Sequence, residues 1–317
     1  MTQPSDMTSS SSTGTSALGQ TPSVPVIPAS TPRPAGPLIT VIEPDAVAPL
    51  DRLGEWLFAS GARLRTIRVW KGEALPATDD LGDGLVVLGG QMSAHDDAAH
   101  PWLEGLREII RHAVADGLPT LTICLGAQVA AEALGAVTAV PSPDGGEHGV
   151  AELELTEAAL VDRVLGPVID EAVRAAVRAG ISTQDGTRLP AVVSHDDAVV
   201  SLPEGATLLA SSQRCPIHTW RVGRMLAFQH HPEASPARLG SWTEREVAQE
   251  MGVEPPAVTD SAVPSGRELP AEAVAAGKQA RATAEEADSV AQAYGRGLAR
   301  ELVRHARAYA AQRDARD

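Results

Sequence analysis

One of the two cysteines lies where a predicted strand turns into a predicted helix. Cys124 follows the apolar run 119–123 and precedes the helix-forming run 127–134, with Gly126 at the corner. A thiol on such a turn lies close to the positive end of the helix, which favours the reactive thiolate. The serine of a nucleophile elbow occupies the same kind of turn. Cys124 is therefore a candidate nucleophile, with an inert core cysteine as the alternative interpretation.

A histidine and a glutamate have the spacing of a catalytic base and the carboxylate that orients it. His231-Pro232-Glu233 follows a predicted strand over 225–229. An extended backbone sends residues i and i+2 to the same side, so the carboxylate can hold the imidazole. A base held in this way beside a thiol has the logic of a catalytic triad. The alternative is a surface histidine next to a solvated glutamate.

A glycine pair ends another predicted strand. Gly89 and Gly90 follow the apolar run 84–88. Glycine lets backbone N–H groups approach a ligand closely, and such groups beside a nucleophile can form an oxyanion hole. A plain turn at the end of a strand has the same sequence, so the pair alone is weak support.

Predicted strands and helices alternate in the first half of the chain, which is typical of a parallel sheet. Ligands of such sheets bind beyond the carboxyl ends of the strands, where Gly89, Gly90 and Cys124 all fall. The predicted strands are 38–42, 64–70, 84–88 and 119–124, and the predicted helices are 50–59 and 102–115.

Shorter alternating segments in the second half predict an antiparallel extension of the sheet. They cover 150–155, 191–193 and 206–211. We expect a domain over 37–252, a Pro/Ala-rich loop or insertion over 253–281, and a helix packed on the domain within 282–317. Residues 1–36 are rich in Ser, Thr and Pro and predict a disordered tail without the apolar segment of a signal peptide.

The composition excludes several classes of function. The net charge of −15 and the lack of a basic stripe argue against binding to nucleic acid. The longest apolar runs are too short for a membrane span. Two cysteines do not make a disulfide framework, which predicts a reducing, cytoplasmic location.

No metal site or cofactor is expected from the sequence. His195 stands beside Asp196 and Asp197, but a third convincing ligand is lacking, and a loop at the mouth of a cleft is the preferred interpretation. Cys215 precedes a proline in a strand-like region and is interpreted as an inert core thiol. The chain has neither a phosphate-binding loop nor a dinucleotide fingerprint.

The motifs together resemble the class I, triad-type glutamine amidotransferase family, in particular its stand-alone branch similar to GMP synthase. The resemblance covers roughly residues 38–240. The segments that carry it are Val87-Leu-Gly-Gly-Gln-Met-Ser93, Ile123-Cys-Leu-Gly-Ala-Gln128, Gln229-His-His-Pro-Glu233, and His195-Asp-Asp197 leading to Leu202-Pro-Glu-Gly-Ala206. The family fold implies a three-layer αβα sandwich of flavodoxin-like type, with a mostly parallel sheet and a small antiparallel extension.

The resemblance also implies a catalytic triad. Cys124 matches the nucleophile that attacks the side-chain amide of glutamine, His231 the general acid and base, and Glu233 the carboxylate that orients it. The reaction would pass through a γ-glutamyl thioester and yield glutamate and ammonia. The ammonia would go to an acceptor or to an ATP-dependent synthetase partner that this chain does not contain.

The remaining site residues follow from the same match. The backbone N–H groups of Gly90 and Leu125 match the oxyanion hole, and Gly89 and Gln128 match residues that bind the substrate. No role is assigned to Glu147 or His148, whose segment resembles the family only loosely.

Three positions depart from the family pattern. Thr122 stands where the elbow usually has glycine, Gln91 where proline often follows the paired glycines, and His230 where an aromatic residue usually precedes the catalytic histidine. His231 is chosen over His230 because only His231 has a glutamate two residues later. Two alternatives stay open: a thiol hydrolase of other γ-glutamyl amides or peptides, and a catalytically silent regulatory subunit.

Overall fold

A computed structural model describes residues 36–258 and 269–315. The predicted tail over 1–36 lies outside these residues except for Gly36, and so does the middle of the predicted insertion. Within the described part of the chain, no helix is both long enough and apolar enough to cross a bilayer.

A nine-stranded sheet runs through the described residues in the order β2-β1-β3-β4-β11-β10-β9-β6-β7, and two further short strands pair as β5-β8. In chain order the strands are β1 (Leu38–Glu43), β2 (Arg63–Arg68), β3 (Gly84–Val87), β4 (Thr120–Ile123), β5 (Thr138–Ala139), β6 (Glu147–Leu155), β7 (Arg188–His195), β8 (Ala198–Val199), β9 (Thr207–Ser211), β10 (Thr219–Val222) and β11 (Met225–Phe228). The strands from β2 to β11 in the spatial order are parallel, and the pairs from β11 to β7 are antiparallel.

Helices cover both faces of the sheet. They are α1 (Asp51–Ala59), α2 (Trp102–Ala115), α3 (Leu125–Ala133), α4 (Glu157–Leu160), α5 (Leu165–Ala179), α6 (Pro236–Glu250) and α7 (Ala271–Asp314). One face packs in a core shared with α1, α5 and α7, and the other face packs in a core shared with α2 and α3. The predicted three-layer αβα sandwich is thereby confirmed.

The alternation of side chains along β1 explains how this strand contributes to both hydrophobic cores. Its residues are apolar almost throughout, and successive side chains of a strand point to opposite faces. Ile39 and Val41 lie in the core with α1, while Ile42 lies in the core with α2. A strand buried on both faces is typical of a parallel sheet, as the sequence predicts here.

The C-terminal helix is longer than the sequence pattern predicts. It begins at Ala271, so the predicted insertion over 253–281 is wrong for its last residues. Residues 271–281 are mostly Ala, Glu, Gln, Lys and Arg, which are strong helix formers. They lie against α6 where Gly277 approaches Gly240, and a Cβ on Gly277 would lie 2.6 Å from the carbonyl oxygen of Gly240. Tertiary contact rather than apolar periodicity therefore defines the start of α7.

Candidate active site

The candidate residues come together at the carboxyl ends of three neighbouring strands. β4 lies between β3 and β11 and is parallel to both. The segments that leave these strands carry Gly89, Cys124 and His231. Strand order therefore brings together motifs that are far apart in the sequence, as the rule for parallel sheets predicts.

Cys124 lies on a strained strand-to-helix turn. Its φ of 50° and ψ of −112° are unusual for a residue with a side chain, and it directly precedes α3. Such strain costs on the order of 1–3 kcal/mol and persists only where the surroundings enforce it. A Cβ on Gly126 would lie 2.6 Å from the carbonyl oxygen of Val87, so only glycine fits at the corner.

Thr122 does not prevent this turn. It lies within β4 in regular register with Val87 and Ala227, and the turn begins two residues later. Its hydroxyl oxygen is buried without a hydrogen-bond partner among the described residues. The elbow thus forms with a β-branched residue where the resembling family usually has glycine.

His231 forms the buried centre of a three-residue array. Its Nδ1 lies 2.7 Å from Oε1 of Glu233, and the side chain of Cys124 lies near enough to the ring to affect its pKa. Burial alone would lower the pKa of His231, but the charges of Glu233 and Cys124 outweigh it and raise that pKa to about 10. Since Glu233 occupies Nδ1, the other ring nitrogen is the one available to the sulfur. His231 is thus a protonated imidazole beside a cysteine at neutral pH.

Gly89 allows this close approach. A Cβ there would lie 3.4 Å from Cβ of Cys124 and 3.3 Å from Cε1 of His231. A side chain at this position would thus contact both Cys124 and His231. The structure places Gly89 against both residues.

Gly90 and Leu125 lie next to each other, as an oxyanion hole would require. A Cβ on Gly90 would lie 3.0 Å from Cδ2 of Leu125 and 3.3 Å from Cβ of Asp45. The carboxylate of Asp45 accepts hydrogen bonds from the backbone N–H groups of Val47 and Gln91, each at 3.0 Å. Asp45 therefore holds the glycine loop in place. The sequence motifs do not predict this role, and the only signal for it is that Asp45 follows a predicted strand.

Cys124 and His231 line an open cavity of about 530 Å³. Gln128 lines it, and its Nε2 donates to the carbonyl oxygen of Asp197 at 3.0 Å and lies 3.3 Å from Oε1 of Gln229. Asp196 and Asp197 also line it, where the sequence predicts a loop at the mouth of a cleft.

Helix α6 supplies a wall of the cavity that the sequence motifs do not predict. The ring of Trp242 lies 4.5 Å from the ring of His231, measured between centroids, and its Nε1 donates to the carbonyl oxygen of Val47 at 2.7 Å. Arg245 and Glu246 line the same cavity. Glu246 also lies 2.9 Å from Nδ1 of His148 and raises the pKa of that histidine. The cavity therefore presents charges of both signs.

His230 faces the protein core. Its ring lies against Phe228 and Tyr294. Burial and the neighbouring charge of His231 lower its pKa to about 3, so it is neutral. The choice of His231 over His230 as the residue beside Cys124 agrees with this geometry.

His195 and the two aspartates that follow it do not converge as metal ligands. Asp196 lies 3.2 Å from His148, and Asp197 contributes its carbonyl oxygen rather than its carboxylate to His195. The other cysteine, Cys215, is fully buried, and burial together with the charge of Glu147 raises its pKa to about 12. Cys215 therefore carries a proton at neutral pH in these surroundings.

Comparison with known proteins agrees with this geometry. A model of the family "Glutamine amidotransferase class-I" matches residues 57–247. The glutamine amidotransferase-like protein YfeJ of Salmonella typhimurium is 32% identical over 183 residues, which are 56% of this chain and 68% of that protein. The glutamine-hydrolysing GMP synthase of Teredinibacter turnerae is 32% identical over 142 residues, which are 44% of this chain and 24% of the synthase.

The fold also matches a crystal structure of a glutamine amidotransferase from Thermotoga maritima. The TM-score is 0.60 at 19% identity, and the match covers 84% of this chain and 97% of the other. The family model and the relative from Salmonella typhimurium confirm the family resemblance expected from the motifs. This chain belongs to the class-I glutamine amidotransferase family.

Proposed function

We propose that this chain hydrolyses the side-chain amide of glutamine to glutamate and ammonia, with Cys124 as the nucleophile. The observation that carries the proposal is the array of Cys124, His231 and Glu233 at the bottom of an open cavity, in a member of this family. A buried nucleophile, a protonated imidazole and an orienting carboxylate are the parts that acyl transfer to sulfur requires.

In the first half of the reaction, the thiolate sulfur of Cys124 bonds to the side-chain carbonyl carbon of glutamine. The negative charge that develops on the oxygen is stabilised by the backbone N–H groups of Gly90 and Leu125. His231 gives its proton to the amide nitrogen, the carbon–nitrogen bond breaks, and ammonia leaves. The product on the enzyme is a γ-glutamyl thioester.

In the second half, water cleaves the thioester. His231, now neutral, takes a proton from the water while the oxygen bonds to the carbonyl carbon. The carbon–sulfur bond breaks, glutamate leaves, and Cys124 and His231 return to their starting state. Glu233 keeps its contact with Nδ1 in both halves and so preserves the orientation of the ring.

The charges around the cavity suit a free amino acid. The α-carboxylate of glutamine needs a cationic partner, which Arg245 supplies, and the α-ammonium needs an anionic one, which Asp196, Asp197 or Glu246 can supply. Gln128 lines the wall next to the sulfur and would contact the substrate, as would Gly89. We further propose that the ammonia goes to an acceptor on another chain, such as an ATP-dependent synthetase.

The proposal is tested by measuring glutamate and ammonia released from glutamine, alone and with candidate synthetase partners. We expect Cys124→Ala to lower the rate by at least about a thousandfold, because the covalent route is lost. A glutamine-derived chloroketone should label Cys124 and leave Cys215 unmodified in the folded protein. Equal rates for wild type and Cys124→Ala would rule the proposal out, and the lack of an adduct would favour a silent regulatory subunit.

The same assay separates glutamine from other γ-glutamyl substrates. We expect kcat/KM to be highest for glutamine and lower for γ-glutamyl amines and peptides. The opposite order would assign the chain to the hydrolases of other γ-glutamyl bonds.

A further inference from the structure

A second cluster of reactive side chains lies buried behind the wall of the cavity. Glu147 is the first residue of β6 and lies opposite His195, the last residue of β7, in this antiparallel strand pair. Cys215 and His218 come from the connection between β9 and β10. All four side chains are buried, and one ligand atom from each lies within 4.8 Å of the others.

The distances in this cluster are close to those around a tetrahedral metal ion. Oε2 of Glu147 lies 3.4 Å from Nε2 of His195 and 3.6 Å from Nε2 of His218. Metal–ligand bonds of about 2.0–2.3 Å in tetrahedral geometry separate neighbouring ligand atoms by about 3.3–3.8 Å. The two histidines and the carboxylate therefore need little movement to share one ion.

The hydrogen bonds of His195 prepare it to act as a ligand. Its Nδ1 lies 3.0 Å from the carbonyl oxygen of Asp197 and must donate, because a carbonyl oxygen only accepts. In the neutral ring, Nε2 then directs a lone pair towards the carboxylate of Glu147. Two acceptors that face each other in a buried site need a cation or a proton between them. A second-shell carbonyl that fixes the ring in this way is usual for metal-binding histidines.

His218 supplies an independent observation. Its side chain is 0% exposed, and its Nε2 has no hydrogen-bond partner among the described residues although it points to Glu147. A buried polar atom left unsatisfied costs about 1–3 kcal/mol, so such atoms usually have a partner.

We propose that Glu147, His195, Cys215 and His218 bind one Zn²⁺ ion. Two imidazoles, a thiolate and a carboxylate form a set of mixed donors of the kind that Zn²⁺ accepts in tetrahedral sites. Four protein ligands in a fully buried cluster make a closed, structural site. Cys215 loses its thiol proton to solvent when the ion binds. Ser212 donates to the carboxylate of Glu147 at 2.7–2.8 Å and holds it in place.

The ion would stabilise the wall of the active-site cavity. The carbonyl oxygen of Ser194 lies 3.8 Å from Sγ of Cys124, and that of Asp197 accepts from Gln128. Both residues flank His195 in the chain. Binding at His195 would therefore fix the segment that contacts the nucleophile and the substrate wall, while the ion itself stays outside the cavity chemistry.

This proposal replaces two sequence expectations, the absence of a metal site and the inert role of Cys215. In the sequence, His195 stands next to Asp196 and Asp197, whereas its proposed fellow ligands come from the start of β6 and from the connection between β9 and β10. The only local signal is the spacing of Cys215 and His218, which leaves two residues between a cysteine and a histidine.

The first experiment measures metal in the wild-type chain. We expect about one zinc per chain by elemental analysis after purification without chelators. After exchange for Co²⁺, we expect a thiolate-to-cobalt charge-transfer band, and X-ray absorption of the zinc form should show one sulfur and three nitrogen or oxygen neighbours. A folded wild type that binds no zinc when an equimolar amount is added would overturn the proposal, as would a metal sphere without sulfur.

Variants then assign the ligands. Cys215→Ser and His218→Gln should each weaken zinc binding at least tenfold in a competition with a chromogenic chelator. Cys124→Ala removes the other cysteine and His112→Gln removes an exposed histidine, and both should keep one zinc per chain. Unchanged affinity in both ligand variants would refute the site. If these variants do not fold, the cobalt and X-ray spectra of the wild type decide. None of these readouts requires glutamine hydrolysis, so the two proposals can fail separately.

Discussion

His231 stays protonated although it is buried, because the charges of its neighbours outweigh the effect of burial on its pKa. Burial lowers the pKa of an imidazole, and the charges of Glu233 and Cys124 raise it again, to about 10. In the proposed reaction, a proton held in this way is available for the leaving ammonia throughout the neutral range. The carboxylate of Glu233 therefore controls the charge of the imidazole as well as its orientation.

Replacing Glu233 should move the alkaline limit of activity. Above its pKa, His231 loses the proton that the leaving group needs, so we expect the wild-type kcat/KM for glutamine to fall near pH 10. Glu233→Gln removes the nearest negative charge and should shift this limb to lower pH by about one unit or more. Glu244→Gln, on α6 but outside the cavity lining, should leave the limb in place. If the alkaline fall of kcat/KM stays at the same pH in Glu233→Gln, this account of the His231 pKa is contradicted.

Substitution of the two adjacent histidines, His230 and His231, should have very different effects on kcat/KM. His231→Gln removes the acid and base and should lower kcat/KM by at least about a thousandfold. His230→Gln changes a neutral core side chain that faces Phe228 and Tyr294, so we expect it to retain activity within about fivefold. Glutaminase assays at a temperature where both variants show native circular dichroism make the comparison. A greater loss in His230→Gln would reverse the assignment.

The sequence predicts those site residues that lie within one local motif. The spacing of His231 and Glu233 and the turn around Cys124 and Gly126 follow from backbone geometry, which a short segment contains. Asp45 and Trp242 could not be predicted in the same way. Each reaches the site through a tertiary contact, the first to the backbone of Gln91 and the second to the ring of His231.

At the level of elements, α7 packs against the segment that carries His231. A Cβ on Gly295, within α7, would lie 2.8 Å from the carbonyl oxygen of Pro232 and would collide with the ring of Trp56. Pro232 stands between His231 and Glu233. The helix that the sequence pattern assigns to core packing therefore also contacts the segment between His231 and Glu233.

Gly295→Ala should disturb both stability and activity. The added methyl group must displace Pro232 or Trp56, which costs about 1–3 kcal/mol in overpacked cores and exceeds the gain of about 1 kcal/mol in helix propensity. We also expect kcat/KM to fall about tenfold or more, since small displacements of catalytic groups are costly. Urea unfolding and glutaminase assays measure the two effects.

Gly105→Ala is the matched control for this substitution. A Cβ on Gly105, within α2, would meet only the end of the flexible Leu75 side chain, at 3.2 Å. We expect this variant to be as stable as the wild type or more so, with unchanged kcat/KM. A Gly295→Ala protein that behaves like this control would show that α7 does not position the catalytic segment.

Helices and strands with a strong hydrophobic pattern can be predicted from this sequence, whereas those positioned by contacts with distant residues cannot. The apolar stripe of α2 and the continuous apolar runs of β1 and β3 identify them from the sequence. Helix α6 has a weakly apolar composition, and it is positioned by contacts with α7 and with the backbone of Val47. This dependence on distant partners explains why the cavity wall formed by α6 was not predicted.

At the scale of the whole molecule, the site lies where the two halves of the sheet meet. β11 is parallel to β4 and antiparallel to β10, so it ends the parallel half and begins the antiparallel one. Cys124 comes from the parallel half, and the carbonyl oxygen of Ser194 beside it comes from the antiparallel half. The antiparallel extension predicted from the sequence therefore forms part of the active-site cavity, and the proposed zinc site would join its strand ends.

Without a partner chain, all of the ammonia formed from glutamine should be released into solution. The match to the GMP synthase of Teredinibacter turnerae covers 24% of that protein, and this chain contains no phosphate-binding loop motif. We therefore expect one free ammonia for each glutamate formed from glutamine, with or without ATP and Mg²⁺.

A candidate synthetase chain supplied with ATP and its acceptor should lower free ammonia relative to glutamate, because the ammonia is then consumed. Cys124→Ala should form neither product under any of these conditions. Consumption of ammonia by the purified chain with ATP alone would show that the acceptor site is within this chain, and would contradict the division of labour proposed here.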